Sequence, residues 1–230
     1  MRIETVNECT CIVYLGDRIS DETADLVKQA TEAIRQNMAH LITDLVPSYT
    51  SVMVCYNAGK TDRFGIVSQL QYTLTRLEYR AETDSDSRTI ELPVCYDAEV
   101  GLDLNDVCEY SGLSREEVIR IHSEQTYRVY AIGFSPGFAY LGTTDSRIAL
   151  PRKATPRQKV PTGSVGIAGS QTAIYPSSTP GGWQIIGRTP RKMIDWDSES
   201  LALVQVGDRV KFRAIDQQEF VDLGGDFSEL

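Results

Sequence analysis

The chain reads YRVYAIGF at 127–134, SVGIAG at 164–169, QTAIYP at 171–176 and WQIIGRT at 183–189. Two more runs follow, LALVQ at 201–205 and RVKFRAI at 209–215, with a tight turn expected in VGDRV at 206–210. These runs are short, rich in residues that favour strands, and mostly interrupted or followed by glycine or proline. Many short strands at close spacing predict a closed β-barrel rather than a parallel sheet.

The segment 133–190 differs from the rest of the chain in backbone and in charge. It contains nine of the 17 glycines and seven of the nine prolines, the residues that closely specified turns require. It carries six basic residues against one acid, although the whole chain has a net charge of −9. Cationic groups on stiff backbone inside an acidic protein favour a site for an anion, so we look for function in this segment.

The N-terminal part predicts a second, smaller domain. Its predicted elements are a strand at 9–15, a helix from Ser20 to about 38, strands at 41–46 and 51–56, a helix at 61–79, a polar loop at 81–87 and a strand at 88–95. The apolar side of the second helix is assigned to Phe64, Val67, Leu70, Leu74 and Leu77. The order βαββαβ is that of a ferredoxin-like domain. We therefore predict an α+β protein with a ferredoxin-like domain at 1–95 and a β-barrel domain at 96–230.

Residues 103–122 predict a short helical insertion in the barrel domain. Ser114 and Glu117 form a capping box for its second helix. Two short helices joined at 111–112 also resemble a helix-turn-helix, but the pair carries two arginines against five acids, which repels phosphate. Together with a pI near 4.8, this charge argues against nucleic-acid binding.

Composition excludes several further classes of protein. No run of about 18 apolar residues predicts a membrane span, and the first residues lack the basic start and apolar run of a signal peptide. Five cysteines without CxxC spacing favour reduced thiols, so we predict a cytoplasmic protein. The histidines are His40 and His122, and no cluster has metal-ligand spacing, so no bound metal is predicted.

Two glycine-containing motifs imitate known sites. Residues 133–137 satisfy G-x-S-x-G, but Pro136 follows the serine and has no N–H to donate to an oxyanion hole. This motif predicts a rigid turn that fixes Phe138 and Tyr140. Residues 163–169 lack the Lys-Ser/Thr ending of a P-loop and the spacing G-x-G-x-x-G. They predict strand and turn, although Gly169 could still line a ligand.

Seven residues are the candidates for a functional site. Arg152 and Arg157 each follow a proline, and an arginine on a stiff loop loses little entropy when it binds a carboxylate or phosphate; the alternative is a solvated basic loop. His122 is the candidate for proton transfer; the alternative is a satisfied structural residue. The candidate substrate contacts are Gln171, Tyr175, Phe138 and Gly169. Trp183 is assigned to the core.

Long motifs of the chain resemble one known family. They are IGFSPGFAYLG, PRKATPRQKVP, GSVGIAGSQTAIYP, STPGGWQIIGRTP, LPVCYDAEVGLDL and DLVPSYTSVMVCY. The chain resembles, over nearly its whole length, the family of KipI, the B-type subunits of 5-oxoprolinase and allophanate hydrolase subunit 1. The resemblance implies a ferredoxin-like N-terminal domain and a cyclophilin-like C-terminal barrel.

The resemblance also implies partners and a reaction. Family members work with a homologous barrel subunit of the KipA or 5-oxoprolinase C type. In bacteria this pair and a LamB-like A-type subunit hydrolyse 5-oxoproline to glutamate with ATP. Three functions stay open: a subunit of such an enzyme acting on a small anionic substrate, a KipI-like inhibitor of a sensor histidine kinase, and a carboxyltransferase-type subunit of urea or allophanate metabolism.

Overall fold

The computed structural model describes residues 1–79, 88–198 and 200–228. The chain is α+β, as predicted, and divides into two compact units, Met1–Ser87 and Arg88–Leu230. The predicted polar loop at 81–87 lies outside the described residues.

The first unit is a four-stranded antiparallel sheet with two helices. Its elements are β1 (Arg2–Asn7), β2 (Thr10–Tyr14), α1 (Asp21–Met38), β3 (Ile42–Pro47), β4 (Ser51–Tyr56) and α2 (Arg63–Leu74), and the strand order is β1-β2-β4-β3. Ser20 caps α1 by accepting from the N–H of Thr23, as the sequence predicts for a helix start. Asp62 caps α2 in the same way. The apolar faces of both helices pack with the sheet into one buried core.

The predicted βαββαβ order is not what the structure shows. The sequence prediction missed β1, which forms a hairpin with β2. The strand predicted to close the first domain, found here as β5 (Thr89–Cys95), belongs to the barrel of the second unit instead. Phe64 was assigned to the apolar side of α2 but is 67 % exposed, because the buried side of that helix is formed by Ile66, Leu70 and Leu74.

The second unit contains the predicted closed barrel. Besides β5, its strands are β6 (Thr126–Ile132), β7 (Ala139–Gly142), β9 (Ser164–Ala168), β10 (Gln171–Ile174), β12 (Gln184–Arg188) and β13 (Arg209–Ile215), in the order β10-β7-β6-β13-β5-β12-β9. β13 runs parallel to β5, and the other pairs in the barrel are antiparallel. Two short strands outside it, β8 (Arg157–Val160) and β11 (Thr179–Gly181), pair with each other.

The predicted helical insertion is confirmed as α3 (Leu104–Ser111) and α4 (Arg115–Glu124). Ser114 and Glu117 form both bonds of the capping box. The LALVQ run is not a strand: only Ala202 makes an isolated bridge, to Ile194. A short 3-10 helix (Ser146–Ile148) and α5 (Gln217–Asp222) complete the unit. Within the described part of the chain, no helix has the length and apolar character needed to cross a membrane.

Candidate functional site

Five aromatic side chains of the barrel unit surround a cavity of about 320 Å³. Prolines, glycines and one arginine complete the wall, which consists of Phe134, Phe138, Tyr140, Arg152, Pro156, Tyr175, Pro180, Gly181, Gly182 and Trp183. We call it the aromatic cavity. Three predicted site residues, Phe138, Tyr175 and Arg152, lie in this wall. A concave, mostly apolar wall with one charged group is typical of a site for a small molecule.

Phe138 lies at the centre of the aromatic wall. The centroid of its ring is 4.9 Å from that of Tyr140, 5.2 Å from that of Tyr175 and 5.7 Å from that of Trp183, each in an edge-to-face contact. Phe138, Tyr175 and Trp183 are buried, whereas Phe134 is 66 % exposed. Edge-to-face contacts among buried rings fix their positions, so the wall is formed before any ligand arrives.

The turn at 133–137 brings two of these rings to the cavity. Phe134 has a φ of +70° and Gly137 a φ of +75°, and the N–H of Phe138 donates to the carbonyl of Ser135 at 3.1 Å. A Cβ on Gly137 would lie 2.6 Å from the side chain of Ile194, so the turn packs too closely for a larger residue. A left-handed backbone conformation is uncommon for phenylalanine. At Phe134 this conformation places the aromatic ring in the cavity wall.

Arg152 supplies the positive charge of the aromatic cavity. Its guanidinium carbon lies 5.6 Å from the centroid of the Trp183 ring, within the range of a cation–π contact. The side chain is exposed, and no carboxylate among the described residues pairs with it. Burial raises the pKa of the nearby Tyr175, so its hydroxyl remains protonated at neutral pH.

The other cations of the PRKATPR loop are bound by a buried carboxylate. Asp103, whose side chain is 1 % exposed, accepts from Arg157 Nη1 at 2.7 Å and Nη2 at 2.6 Å, and from Lys153 Nζ at 2.7 Å. Burial raises the pKa of Asp103, but the hydrogen bonds from Arg157, Lys153 and the N–H of Ile185 outweigh this, and the pKa lies below its ordinary value. The guanidinium predicted to bind substrate at Arg157 is therefore occupied by an internal ion pair.

Residues 1–204 match the family described as carboxyltransferase domain, subdomain C and D. The chain belongs to this family. The B-type subunit of the 5-oxoprolinase of Bacillus subtilis (strain 168) is 38 % identical over 227 residues, which is 95 % of each chain. The resemblance identified from the sequence motifs is thereby confirmed.

Two further relatives of this carboxyltransferase-domain chain are longer proteins. The crystal structure of TTHA0988 superposes with a TM-score of 0.79 at 33 % identity and covers 91 % of this chain. The chain spans 40 % of that protein. The urea amidolyase of Saccharomyces cerevisiae is 22 % identical over 223 residues, 81 % of this chain and 12 % of its own length.

His122 lies outside the aromatic cavity of this carboxyltransferase-domain chain. It is fully buried in the second unit, its ring stacks on Phe212 at 4.6 Å, and its nitrogens bond Tyr96 Oη at 2.8 Å and Thr172 Oγ1 at 3.0 Å. Burial lowers the pKa of His122 to about 3. With both nitrogens bonded and the ring neutral, His122 has the geometry of the structural alternative rather than that of a proton-transfer group.

Gln171 and Gly169 are also not part of the cavity wall. Gly169 has a φ of +59° in the turn between β9 and β10, and its N–H donates to the carbonyl of Leu150 at 2.9 Å. Gln171 opens β10, opposite Gly142 and Ala168 in the neighbouring strands. Their position gives both residues a part in the barrel hairpin; substrate contact stays a prediction for them.

Two residues of the cavity wall, and the carboxylate that binds the neighbouring loop, were not among the candidates from sequence. Trp183 is buried in a hydrophobic core cluster, as assigned, and it also forms part of the cavity wall. Phe134 was passed over because a φ of +70° at a phenylalanine has no sequence signal. Asp103 was counted only as an acid that repels DNA, since its partners lie about 50 positions away in the chain.

A second cleft in the same unit has a volume of about 530 Å³. Its wall includes three cations, Arg188, Arg191 and Lys192, and three acids, Asp195, Asp197 and Asp226. Since the charges balance and none of the predicted site residues lies there, the aromatic cavity is the better candidate for an anionic ligand. Within residues 1–79, 88–198 and 200–228, no group of three or more His, Cys, Asp or Glu side chains could hold a metal ion.

Proposed function

We propose that this chain is a component of an ATP-dependent 5-oxoprolinase and that its aromatic cavity binds 5-oxo-L-proline. The similarity to the B-type subunit of 5-oxoprolinase over 95 % of both chains supports the role in such an enzyme. The binding site is proposed because the Arg152 guanidinium lies over the aromatic wall and pairs with no carboxylate of the described residues. A small lactam ring with one carboxylate suits that wall, because the ring packs against aromatic faces and the carboxylate pairs with guanidinium.

The aromatic cavity is better suited to binding than to the whole reaction. Its ten wall residues include no carboxylate, histidine, cysteine or lysine, so the wall offers no general base at neutral pH. Opening a lactam with ATP, through a phosphorylated substrate, needs such groups and a site for the nucleotide. We therefore propose that a C-type barrel subunit and a LamB-like A-type subunit supply them, that ATP is a co-substrate of the assembly, and that this chain alone is inactive.

We propose that the assembly is cytoplasmic. Reconstitution from the three purified subunits tests the proposed reaction. ATP-dependent formation of glutamate from 5-oxoproline is expected only when all three are present. The Arg152→Ala variant is expected to raise KM for 5-oxoproline by about 10- to 100-fold, the range for losing a charge-assisted hydrogen bond. The matched control is Lys159→Ala, which removes an exposed cation of β8 outside the cavity. An unchanged KM in Arg152→Ala would remove the aromatic cavity from the proposal.

The urea amidolyase match favours one alternative, a carboxyltransferase-type subunit of urea or allophanate metabolism. That match covers 12 % of the longer enzyme at 22 % identity. We therefore rank this function second to the 5-oxoprolinase function. An assembly that shows no 5-oxoproline turnover but transfers a carboxyl group from carboxybiotin to urea would support the alternative. Inhibition of a sensor histidine kinase stays a prediction that an autophosphorylation assay with this chain tests.

A further inference from the structure

We infer that Asp103 is a positioning residue for Arg152: its buried carboxylate fixes the segment 151–157, and so places the Arg152 guanidinium over the aromatic cavity. The inference rests on the proposed function, since it concerns how the same cavity binds its anion. Asp103 itself is not part of the cavity wall.

The carboxylate of Asp103 is turned away from its own helix. Asp103 stands at the N-cap of α3, where an aspartate ordinarily accepts from the N–H groups of the first turn, yet its side chain makes no cap bond. It reaches the neighbouring strand and loop instead. Its own N–H donates to the carbonyl of Ile185 at 2.7 Å, and the N–H of Ile185 donates to its Oδ2 at 2.7 Å.

The segment 151–157 is anchored on both sides of Arg152. The carbonyl of Pro151 accepts from Gln184 Nε2 at 2.8 Å. The N–H of Lys153 donates to the carbonyl of Gly182 at 2.8 Å, and its ammonium pairs with Asp103. Arg152 thus stands between two residues whose positions are fixed, while its own exposed side chain stays available for a ligand.

Asp103 binds both Lys153 and Arg157, and Arg157 is the last residue of the segment 151–157. Arg157 is the first residue of β8 and pairs with Gly181 of the cavity wall. Its bidentate bond to Asp103 fixes the C-terminal end of the segment. Without the Asp103 carboxylate, Arg157 would lose both of these bonds, and Lys153 would keep only the exposed Asp106, whose Oδ2 lies 3.2 Å from Lys153 Nζ. Arg152 would then have to be ordered when the ligand binds, and that ordering entropy is subtracted from affinity.

The test compares Asp103→Asn with Glu109→Gln in the reconstituted assembly. Glu109 is an exposed acid on the same helix and serves as the matched control. We expect Asp103→Asn to raise KM for 5-oxoproline about tenfold with kcat changed less than about twofold, and the control to match the unmodified protein. Lys153→Gln, a milder change, is expected to raise KM by about threefold and keeps the test valid if Asp103→Asn does not fold.

A double-mutant cycle separates positioning from a general loss of stability. In the Arg152→Ala background, Asp103→Asn is expected to cause no further rise in KM, because the residue through which it acts is gone. A crystal structure of the Asp103→Asn chain should also show Arg152 displaced from the Trp183 ring. Additive effects on KM, or a normal KM in Asp103→Asn and Lys153→Gln, would overturn the inference while leaving the cavity intact. A normal KM in Arg152→Ala would instead overturn the proposed function.

Discussion

At the scale of single residues, Gly181 determines where Tyr175 can stand. A Cβ at position 181 would lie 2.3 Å from the Tyr175 hydroxyl and 2.8 Å from its ring carbons. The Gly181→Ala variant must therefore displace a buried ring of the cavity wall. We expect a rise in KM for 5-oxoproline of about tenfold and a loss of about 1–3 kcal/mol in the free energy of unfolding.

Gly133→Ala is the control for this change, because a Cβ at Gly133 meets no heavy atom within 4 Å. Urea unfolding of both variants and steady-state kinetics of the assembly measure the two effects. Equal KM values in the two alanine variants would show that the position of Tyr175 does not matter for binding.

His122 predicts how stability depends on pH. Burial lowers the pKa of His122 from 6.5 to about 3. As the pH falls, His122 is therefore protonated near pH 6.5 in the unfolded chain but only near pH 3 in the folded chain. The contribution of neutral His122 to the free energy of unfolding is therefore fully present above pH 6.5 and is lost as the pH falls toward 3. The expected slope is on the order of 1 kcal/mol per pH unit.

The His122→Gln variant should flatten this slope, since glutamine keeps polar atoms but does not titrate. The measurement is the free energy of urea unfolding between about pH 4 and pH 6, compared at each pH with the unmodified chain. The carboxyl groups titrate in both proteins, so the difference between the two slopes isolates His122. Parallel slopes would mean that His122 does not stay neutral in the folded chain.

The site could be predicted from sequence only where local signals carried the information. The glycine, proline and charge pattern of the segment 133–190 led to Arg152, Phe138 and Tyr175, which share one cavity. Arg157 has the same local pattern as Arg152, and its different environment depends on Asp103, 54 positions earlier in the chain. No local rule distinguishes two arginines whose partners come from distant elements.

At the scale of elements, periodicity and capping predicted α1, α3 and α4, but α2 ends at Leu74 instead of 79 and α5 was not predicted. The partners of the strands could not be predicted. The helix at 21–38 and the capping box of α4 depend on nearby residues and appear as expected. The strand β5 was recognised as a strand but assigned to the wrong sheet, because its partners β12 and β13 lie about 90 to 120 residues further on. LALVQ has a strand-like composition, yet only Ala202 finds a bridging partner.

At the scale of the whole molecule, the position of β5 decides where the chain can be divided. β5 pairs with β13 along its entire length, from Thr89 opposite Arg209 to Cys95 opposite Ile215. Its Leu92, Val94 and Cys95 are completely buried. A barrel without β5 would expose the ladder groups of β13 and β12 and lose these buried side chains, which contribute roughly 1.5–3 kcal/mol each for residues of the size of leucine and valine.

A fragment of residues 88–230 is therefore expected to fold, whereas a fragment of residues 96–230, cut at the boundary predicted from sequence, is expected to aggregate or stay unfolded. The two differ only in the eight residues from Arg88 to Cys95. Cooperative thermal unfolding followed by near-ultraviolet circular dichroism distinguishes them, because a packed core fixes the aromatic side chains that give this signal. If the shorter fragment unfolds cooperatively at the same temperature as the longer one, β5 is not needed to close the barrel. The loss of folding in the shorter fragment alone would show that the barrel begins at β5.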